Sequence, residues 1–288
     1  MTTSEKPKMP TATTREHRLR LFQATRRPSA IRDVEIETKW GRIVLTGRLG
    51  QGHADVLDAI CYHAERRAEL QDGRIKLLVD PAKVRRTCRI GGEQLKKLAR
   101  ELREATIEIK EPRHLACIGG LVDHIDTAVR SDGTPITRHD PLTGGQRELW
   151  RVELGKAFCK LVKKDVWVGY DPASLSLFTH GISQAVARHA LTHDQEPRGG
   201  WILDNLIRAV AGDIKSQAIR DRRREIVDDA SNFAKVGLAV LGDRVRRVEQ
   251  TPDGRQTEGE SVEQTPDGVE QTPDGVEQTP GSVEQTPG

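Results

Sequence analysis

Gln217, Arg220 and Arg224 recur at spacings of three and four residues. On a helix turning 100° per residue they share one face. An amide and two guanidiniums on one face are the groups that read adenine and guanine edges in a major groove and that hold phosphates. Lys215, Ser216, Arg222 and Arg223 flank them. Ile219, Ile226, Ala230 and Phe233 fall on the opposite side, where they can pack on a domain. A second basic run, Lys96, Lys97, Arg100 and Arg103, is interleaved with Leu95, Leu98, Ala99 and Leu102, which share a core face. The bland alternative for both runs is a solvated charged face, and only the surrounding elements can lift the DNA reading above it.

Catalytic chemistry has no comparable constellation. No Gly-x-x-x-x-Gly-Lys-Ser/Thr phosphate loop occurs. A strand-nicking tyrosine needs a His-rich metal site beside it; Tyr62 sits in an amphipathic segment, Tyr170 precedes a helix cap, and no His-hydrophobe-His strand exists. His139-Asp140 and His193-Asp194 lie in or beside loops and read as surface polar pairs. His189 and His193 have the spacing of a helical metal pair but lack a companion Glu and a third ligand. Asp123 and Asp126 face opposite sides of a strand. Cys61, Cys88, Cys117 and Cys159 are scattered singly, as reduced thiols rather than zinc ligands or disulfides. The expectation is a protein without catalytic residues, metal or cofactor.

The basic runs sit in a repeated order of elements. Residues 201–211 read as a short helix, a turn begins at Gly212-Asp213, and residues 216–235 read as a long basic helix that Gly237 closes before the strand Leu238-Ala-Val-Leu241. That order is a winged helix-turn-helix, whose second helix enters the major groove. Upstream, residues 53–70 read as a helix and Ile75-Lys-Leu-Leu-Val79 as a strand. Asp80-Pro81 supplies a cap and a first-turn proline. The basic helix from Glu93 and the strand Thr106-Ile-Glu-Ile-Lys110 follow. Strands around Trp40-Gly41 form a hairpin. Segments 115–130 and 148–154 form an elaborated wing about a Gly-, Pro- and Thr-rich loop at 131–146. The predicted fold class is α+β: tandem winged helices over residues 31–154 and 155–248, a flexible basic arm over 1–30, and a disordered tail over 249–288.

Charge agrees with a polyanion partner. The net charge is +3, with 46 basic and 43 acidic residues. From Glu249 onward there are ten acidic residues and one basic, so the preceding 248 carry 45 against 33, or +12. A basic body with an acidic tail suits a salt-sensitive DNA complex. Four Trp, four Phe and two Tyr are few for base-stacking platforms, which favours duplex over single strands. No apolar run approaches the roughly 20 residues of a membrane span and the first residues have Lys and Arg but no apolar signal core, so a cytoplasmic location is expected.

From Val248 seven-residue units begin at Val248, Arg255, Val262, Val269, Val276 and Val283, five of them containing Val-Glu-Gln-Thr-Pro. One apolar residue per unit, with Pro and Gly, excludes a coiled coil.

Three motifs carry a family likeness: Ser183-Gln-Ala-Val-Ala-Arg-His189, Trp201-Ile-Leu-Asp-Asn-Leu206, and Ile219-Arg-Asp-Arg-Arg-Arg-Glu-Ile226 followed by Val236-Gly-Leu238. With Leu49-Gly50, Asp55 and Leu57 upstream, the chain resembles the iteron-binding replication initiators of IncQ-type broad-host-range plasmids. The resemblance implies binding to directly repeated origin DNA, opening of an adjacent AT-rich duplex, and recruitment of a plasmid or host replicative helicase. It implies that the iteron-reading helix lies at residues 216–235, and that residues 93–105 serve DNA contact or a homodimer interface. A winged-helix transcriptional repressor is the alternative with the same fold and charges. The repetitive tail is not part of that family's pattern. Deleting residues 249–288 removes no periodic apolar face and should leave folding and specific DNA binding intact. A lowered melting temperature or a lost mobility shift would show that the tail is structural.

Overall fold

Alternating apolar residues build the first half of the chain as two antiparallel sheets with helices against them. The computed structural model describes residues 12–13, 17–38, 41–111, 114–140, 144–162 and 167–248. The elements in order are β1 (Ala12–Thr13), β2 (Ile31–Thr38), β3 (Gly41–Gly47), α1 (Gln51–Tyr62), β4 (Ala64–Glu69), β5 (Ile75–Val79), α2 (Pro81–Cys88), α3 (Gly92–Glu104), β6 (Thr106–Glu111), β7 (His114–Gly120) and β8 (Val122–Thr127). Then come β9 (Thr137–His139), β10 (Gln146–Glu148), β11 (Trp150–Leu154), α4 (Lys156–Val162), β12 (Trp167–Val168), α5 (Pro172–Leu175), α6 (Gly181–Leu191), β13 (Trp201–Ile202), α7 (Leu203–Ala211), α8 (Ser216–Asp228), α9 (Ala230–Lys235), β14 (Leu238–Leu241) and β15 (Arg244–Arg247). The mixture is α+β.

One sheet has the order β2-β3-β6-β7 and the other β4-β5-β11-β8. Ile107 and Ile109 of β6, and Ile75, Leu77 and Val79 of β5, turn inward at every second position. α3 meets them with Leu95, Leu98, Ala99 and Leu102, all buried at helical spacing. The Asp-Pro caps form as their sequence predicts: Asp80 accepts from the Ala82 amide at 2.9 Å and Asp171 from Ala173 at 3.0 Å. Asp80 also receives Arg147 at 3.0 Å, which ties the cap to the β9–β10 hairpin.

Several boundaries differ from those the sequence predicts. The helix expected over 53–70 ends at Tyr62, and Ala64–Glu69 pairs with β5 as an edge strand. The chain expected as one long strand over 115–130 is two, β7 and β8, and these lie in different sheets. α4 packs its Ala157, Phe158, Leu161 and Val162 into the first core. The division between cores therefore falls after Val162 rather than before Gly155, because the apolar face of α4 is satisfied upstream.

The second core gathers Leu175, Phe178, Val186, Leu203, Ile207, Ile219, Ile226, Phe233, Leu238 and Val245. Its sheet has the order β13-β15-β14. Trp201 and Ile202, expected to open a helix, pair instead with Val245 and Arg244, so α7 starts at Leu203. The long helix expected over 216–235 is two helices. Asp229 interrupts it, its buried carboxylate accepting from the amides of Thr179 and His180 at 3.0 and 2.8 Å. Two backbone amides beside α6 hold that carboxylate below its usual range against the opposing effect of burial.

The basic arm expected over 1–30 lies outside the described residues for most of its first half, as does the tail from 249. Residues 17–30 are not an arm. Leu21 and Phe22 are buried in the first core, and the segment runs between the two halves. The Thr25 backbone is the closest point: a Cβ on Gly50 would stand 2.6 Å from its carbonyl oxygen, and one on Gly181 2.5 Å from its Cα. Glycine therefore stands at the cap of α1 and at the first residue of α6, where this segment passes.

Behind Thr25 lies a buried polar cluster joining α1 to α6. Arg188, 1% exposed, donates to Asp58 at 3.1 Å, to Gln51 at 2.6 Å and to Asp55. Gln184 donates to Asp55 as well, and the Tyr170 hydroxyl donates to Asp58 at 2.8 Å while His17 meets it at 2.8 Å. Burial raises the Asp58 carboxyl to about 6, although Arg188 and Tyr170 pull the other way. Burial alone would lower the Arg188 guanidinium, but the two carboxylates more than reverse it and hold the charge firmly.

Removing the arginine would leave two carboxylates facing each other in the interior. Arg188→Met should cost about 3–5 kcal/mol of unfolding free energy. Asp58→Asn should cost distinctly less, because Asp55 remains to pair with Arg188. Urea unfolding followed by tryptophan fluorescence compares them; equal losses would show that the arginine has no special role.

Candidate nucleic-acid interface

α7 and α8 are joined by a turn whose geometry starts at Gly212, in the left-handed region at φ 82°. A Cβ there would be strained and would sit 2.7 Å from the Arg20 guanidinium. The turn sets α8 against α7 through Ile219 and Ile226, and the opposite face is left to solvent.

On that face Gln217, Arg220 and Arg224 are exposed together, as their spacing predicts. They are not independent. Arg220 donates to the Gln217 side-chain oxygen at 2.6 Å, Gln217 donates to Asp221 at 3.2 Å, and Arg224 stands 3.6 Å from Asp221. Asp221 is the residue that charge counting overlooks: it places a carboxylate in the middle of the basic face. Lys215 and Ser216 are exposed at the helix start, with Lys215 in extended backbone. Arg222 turns sideways and is held by Glu225 at 2.7 Å. Arg223 reaches back to Asp204 of α7 at 2.6 Å. It braces the helix pair, and the bond raises its pKa while lowering that of Asp204. Of the four arginines in the run, Arg220 and Arg224 face outward, whereas Arg222 and Arg223 are turned to Glu225 and Asp204.

The hairpin β14–β15 carries cations that motif reading missed. Arg244 donates to the Gly199 carbonyl at 3.2 Å, Arg246 to Glu196 at 3.2 Å, and Arg247 to the carbonyls of His193 and Asp194. The Arg247 guanidinium also lies 5.8 Å from the centre of the Trp201 ring. The signal was available in Arg244-Val-Arg-Arg247, where one inward Val among arginines marks a strand with a basic outer face.

In the first half, Lys96, Lys97, Arg100 and Arg103 are all exposed on α3. Lys96 is paired with Glu93 at 2.9 Å, whereas Arg100 and Arg103 make no hydrogen bond or ion pair among the described residues. The turn between α2 and α3 passes through Arg89 in the left-handed region at φ 55°. α3 and α8 rest on separate cores.

Among the described residues, no group of three His, Cys, Asp or Glu is placed to hold a metal ion, and no helix is long and apolar enough to cross a membrane. His189 and His193 do meet, with ring centres 5.1 Å apart, but they pack edge to face beside Trp201. Tyr170, the other tyrosine weighed as a nucleophile, has its hydroxyl committed to Asp58. Compared with protein-family models, with curated proteins and with solved structures, the chain matches none of them.

Burial holds several histidines, two of them beside Trp201, toward the neutral form. Burial lowers the pKa of His189 to about 4, and burial followed by nearby Arg18 and Arg247 lowers that of His193. Burial also lowers those of His17, His53 and His63. His53 accepts from the Gly50 amide through Nδ1, a role that requires the unprotonated nitrogen. With folded pKa values below the unfolded one, the unfolded chain takes up these protons first, so stability is lost as pH falls through about 6.5. Asp58, raised to about 6, acts in the opposite sense and gains stability as pH falls through that value. Five groups oppose one, so the urea midpoint should be lower at about pH 5.5 than near neutrality. An equal or higher midpoint would contradict this balance.

Proposed function

We propose that the chain is a duplex-DNA-binding replication initiator, built as two winged-helix modules, in which α8 reads repeated origin sequences. The observation that carries this reading is the arrangement of α7, α8 and the β13-β15-β14 sheet. It sets a helix–turn–helix beside a hairpin and leaves Gln217, Arg220 and Arg224 exposed on the outer face, bonded only to one another and to Asp221. In the major groove the amide suits adenine N6/N7 and the guanidiniums suit guanine O6/N7, while Asp221 suits a cytosine amino group. Lys215, Ser216 and the arginines of β15 lie where phosphates flanking the groove can be held.

α2, α3 and the strand β6 repeat the order, and their basic face supports a second contact with origin DNA or with a second copy of the chain. The initiator reading, rather than a repressor with the same fold, is supported by two unlike basic modules in one chain together with the resemblance of residues 183–238 to plasmid initiators. It places the protein in the cytoplasm on plasmid origin DNA with a plasmid or host replicative helicase as the next partner. A footprint over DNA flanking its gene separates the two: direct repeats in one orientation fit an initiator, whereas an isolated palindrome fits a repressor.

Arg220→Ala and Arg224→Ala should each lose about 1–3 kcal/mol of discrimination between specific and scrambled duplex at fixed salt. Arg223→Ala, which releases Asp204 instead, should leave that discrimination close to the parent value. Equal losses on both duplexes for Arg220 and Arg224 would reduce α8 to a phosphate contact and defeat the readout claim.

A further inference from the structure

A cavity of about 200 Å³ opens between α3 and the sheet beneath it, lined by Lys96, Ala99, Arg100, Arg103, Ile125 and Trp150. Its floor is apolar and its rim is cationic. Trp150 heads β11, paired with Val79 on one side and Thr127 on the other. Val152, two residues on along the same face, is fully buried under the helices, while Trp150 stays only partly covered at the margin of the core. Ile125 is the cross-strand partner of Val152 and extends the same apolar surface. Above it stand Arg100 and Arg103. Neither has a hydrogen-bond or ion-pair partner among the described residues, whereas Lys96 beside them is held by Glu93.

We infer that this cavity is a nucleotide subsite, in which one unpaired base lies on Trp150 and Ile125 while Arg100 and Arg103 hold the adjoining phosphates. Each component fits that ligand. An indole is a platform for any base, and stacking of this kind tolerates every sequence. Unpaired guanidiniums at the rim supply forked donors to phosphate oxygens without first breaking an internal bond. Volume decides what part of a nucleotide enters. Small-molecule pockets span roughly 300–1,000 Å³, and this one is smaller, so it seats a planar group and leaves sugar and phosphate along α3. That favours a base on a continuous single strand over a free nucleotide enclosed whole. The scarcity of aromatics in the chain points to duplex as the main ligand, and a single stacking position is compatible with it. The subsite lies on the first core and does not depend on α8 reading duplex.

The test uses the full chain and a fluorescein-labelled oligothymidylate of about 12 nucleotides, within the usual site size of single-strand binders, followed by anisotropy at fixed low salt. Trp150→Leu and the double variant Arg100→Ala/Arg103→Ala should each weaken binding by about tenfold or more. Polyphosphate, which has charge but no bases, should bind the parent and Trp150→Leu alike. Arg100 and Arg103 are exposed, so the double variant tests the site even where Trp150→Leu disturbs packing. Thymidine monophosphate distinguishes the source: competition at equal nucleotide concentration assigns the site to free nucleotide, and failure to compete assigns it to a strand. Parent affinity for oligothymidylate in both variants, or polyphosphate displacing it as well as oligothymidylate does, would overturn the subsite. Arg220→Ala/Arg224→Ala should retain oligothymidylate binding, so a failure of duplex readout and a failure of this subsite give different patterns.

Discussion

The two halves of the body are held to each other by a charge that has no route to solvent. Arg188 on α6 donates to Gln51, Asp55 and Asp58 on α1. Desolvating three ionisable groups is expensive, and such a cluster is tolerable only when each donor finds an acceptor in good geometry. Here the guanidinium is the only cation fully buried in the cluster, and the carboxylates outnumber it. The surplus negative charge is relieved by Tyr170, by Gln184, by Arg26 at 3.7 Å from Asp55, and by the raised pKa of Asp58. An apolar contact in the same place would tolerate sliding. A cluster of directed bonds does not, and it fixes α6 in one register against α1.

That register explains the course of residues 17–30. The segment cannot cross the seam unless both helix starts lack side chains, and Gly50 and Gly181 provide that opening on either side of Thr25. Once there, Thr25 accepts from the Gln51 amide at 2.9 Å, Arg26 donates to the Phe178 carbonyl at 2.6 Å, and Arg18 grips Thr192. A stretch rich in Arg and Thr becomes structural because its cations find carbonyls at the ends of helices, where unsatisfied acceptors are available. Moving the second core relative to the first would require this strap and the Arg188 cluster to yield together.

Period-based reasoning found what local patterning determines. The buried stripes of α3 and α8, both Asp-Pro caps and the alternation in β5 and β6 follow from neighbours within one or two turns. It failed where a distant partner decides. Asp229 ends α8 because its carboxylate is claimed by amides about fifty positions upstream, and nothing between Ser216 and Lys235 announces that. Trp201 and Ile202 are strand because β15 is there to pair with them, although they run straight into the apolar stripe of α7 and read as its first turn. α6 reads as amphipathic, yet Ser183, Gln184 and Arg188 are as buried as its Val186. Polar residues on a helix look solvent-facing until the partner carrying complementary charges is known. On α8 the spacing set Arg220 and Arg224 on one face with Arg222 and Arg223 flanking, but it could not name the partners that hold the flanking pair, Glu225 and Asp204.

The self-bonding of the α8 face bears on how such a surface would discriminate. Arg220, Gln217, Asp221 and Arg224 form a chain of exposed contacts, each worth little in water, about 0.2–1 kcal/mol for an exposed pair. A bidentate contact with the right base contributes about 1–3 kcal/mol. Exchange of one for the other is therefore favourable on a matching edge and near neutral or unfavourable on a mismatched one. Asp221 sharpens that difference, since a carboxylate brought toward phosphate or toward a guanine acceptor is repelled. Such a face would give up some nonspecific attraction in return, which the exposed Arg100, Arg103, Arg246 and Arg247 would supply elsewhere on the surface. In a complex of the kind proposed, affinity for polyanion and discrimination between sequences would be carried by different residues of the same chain.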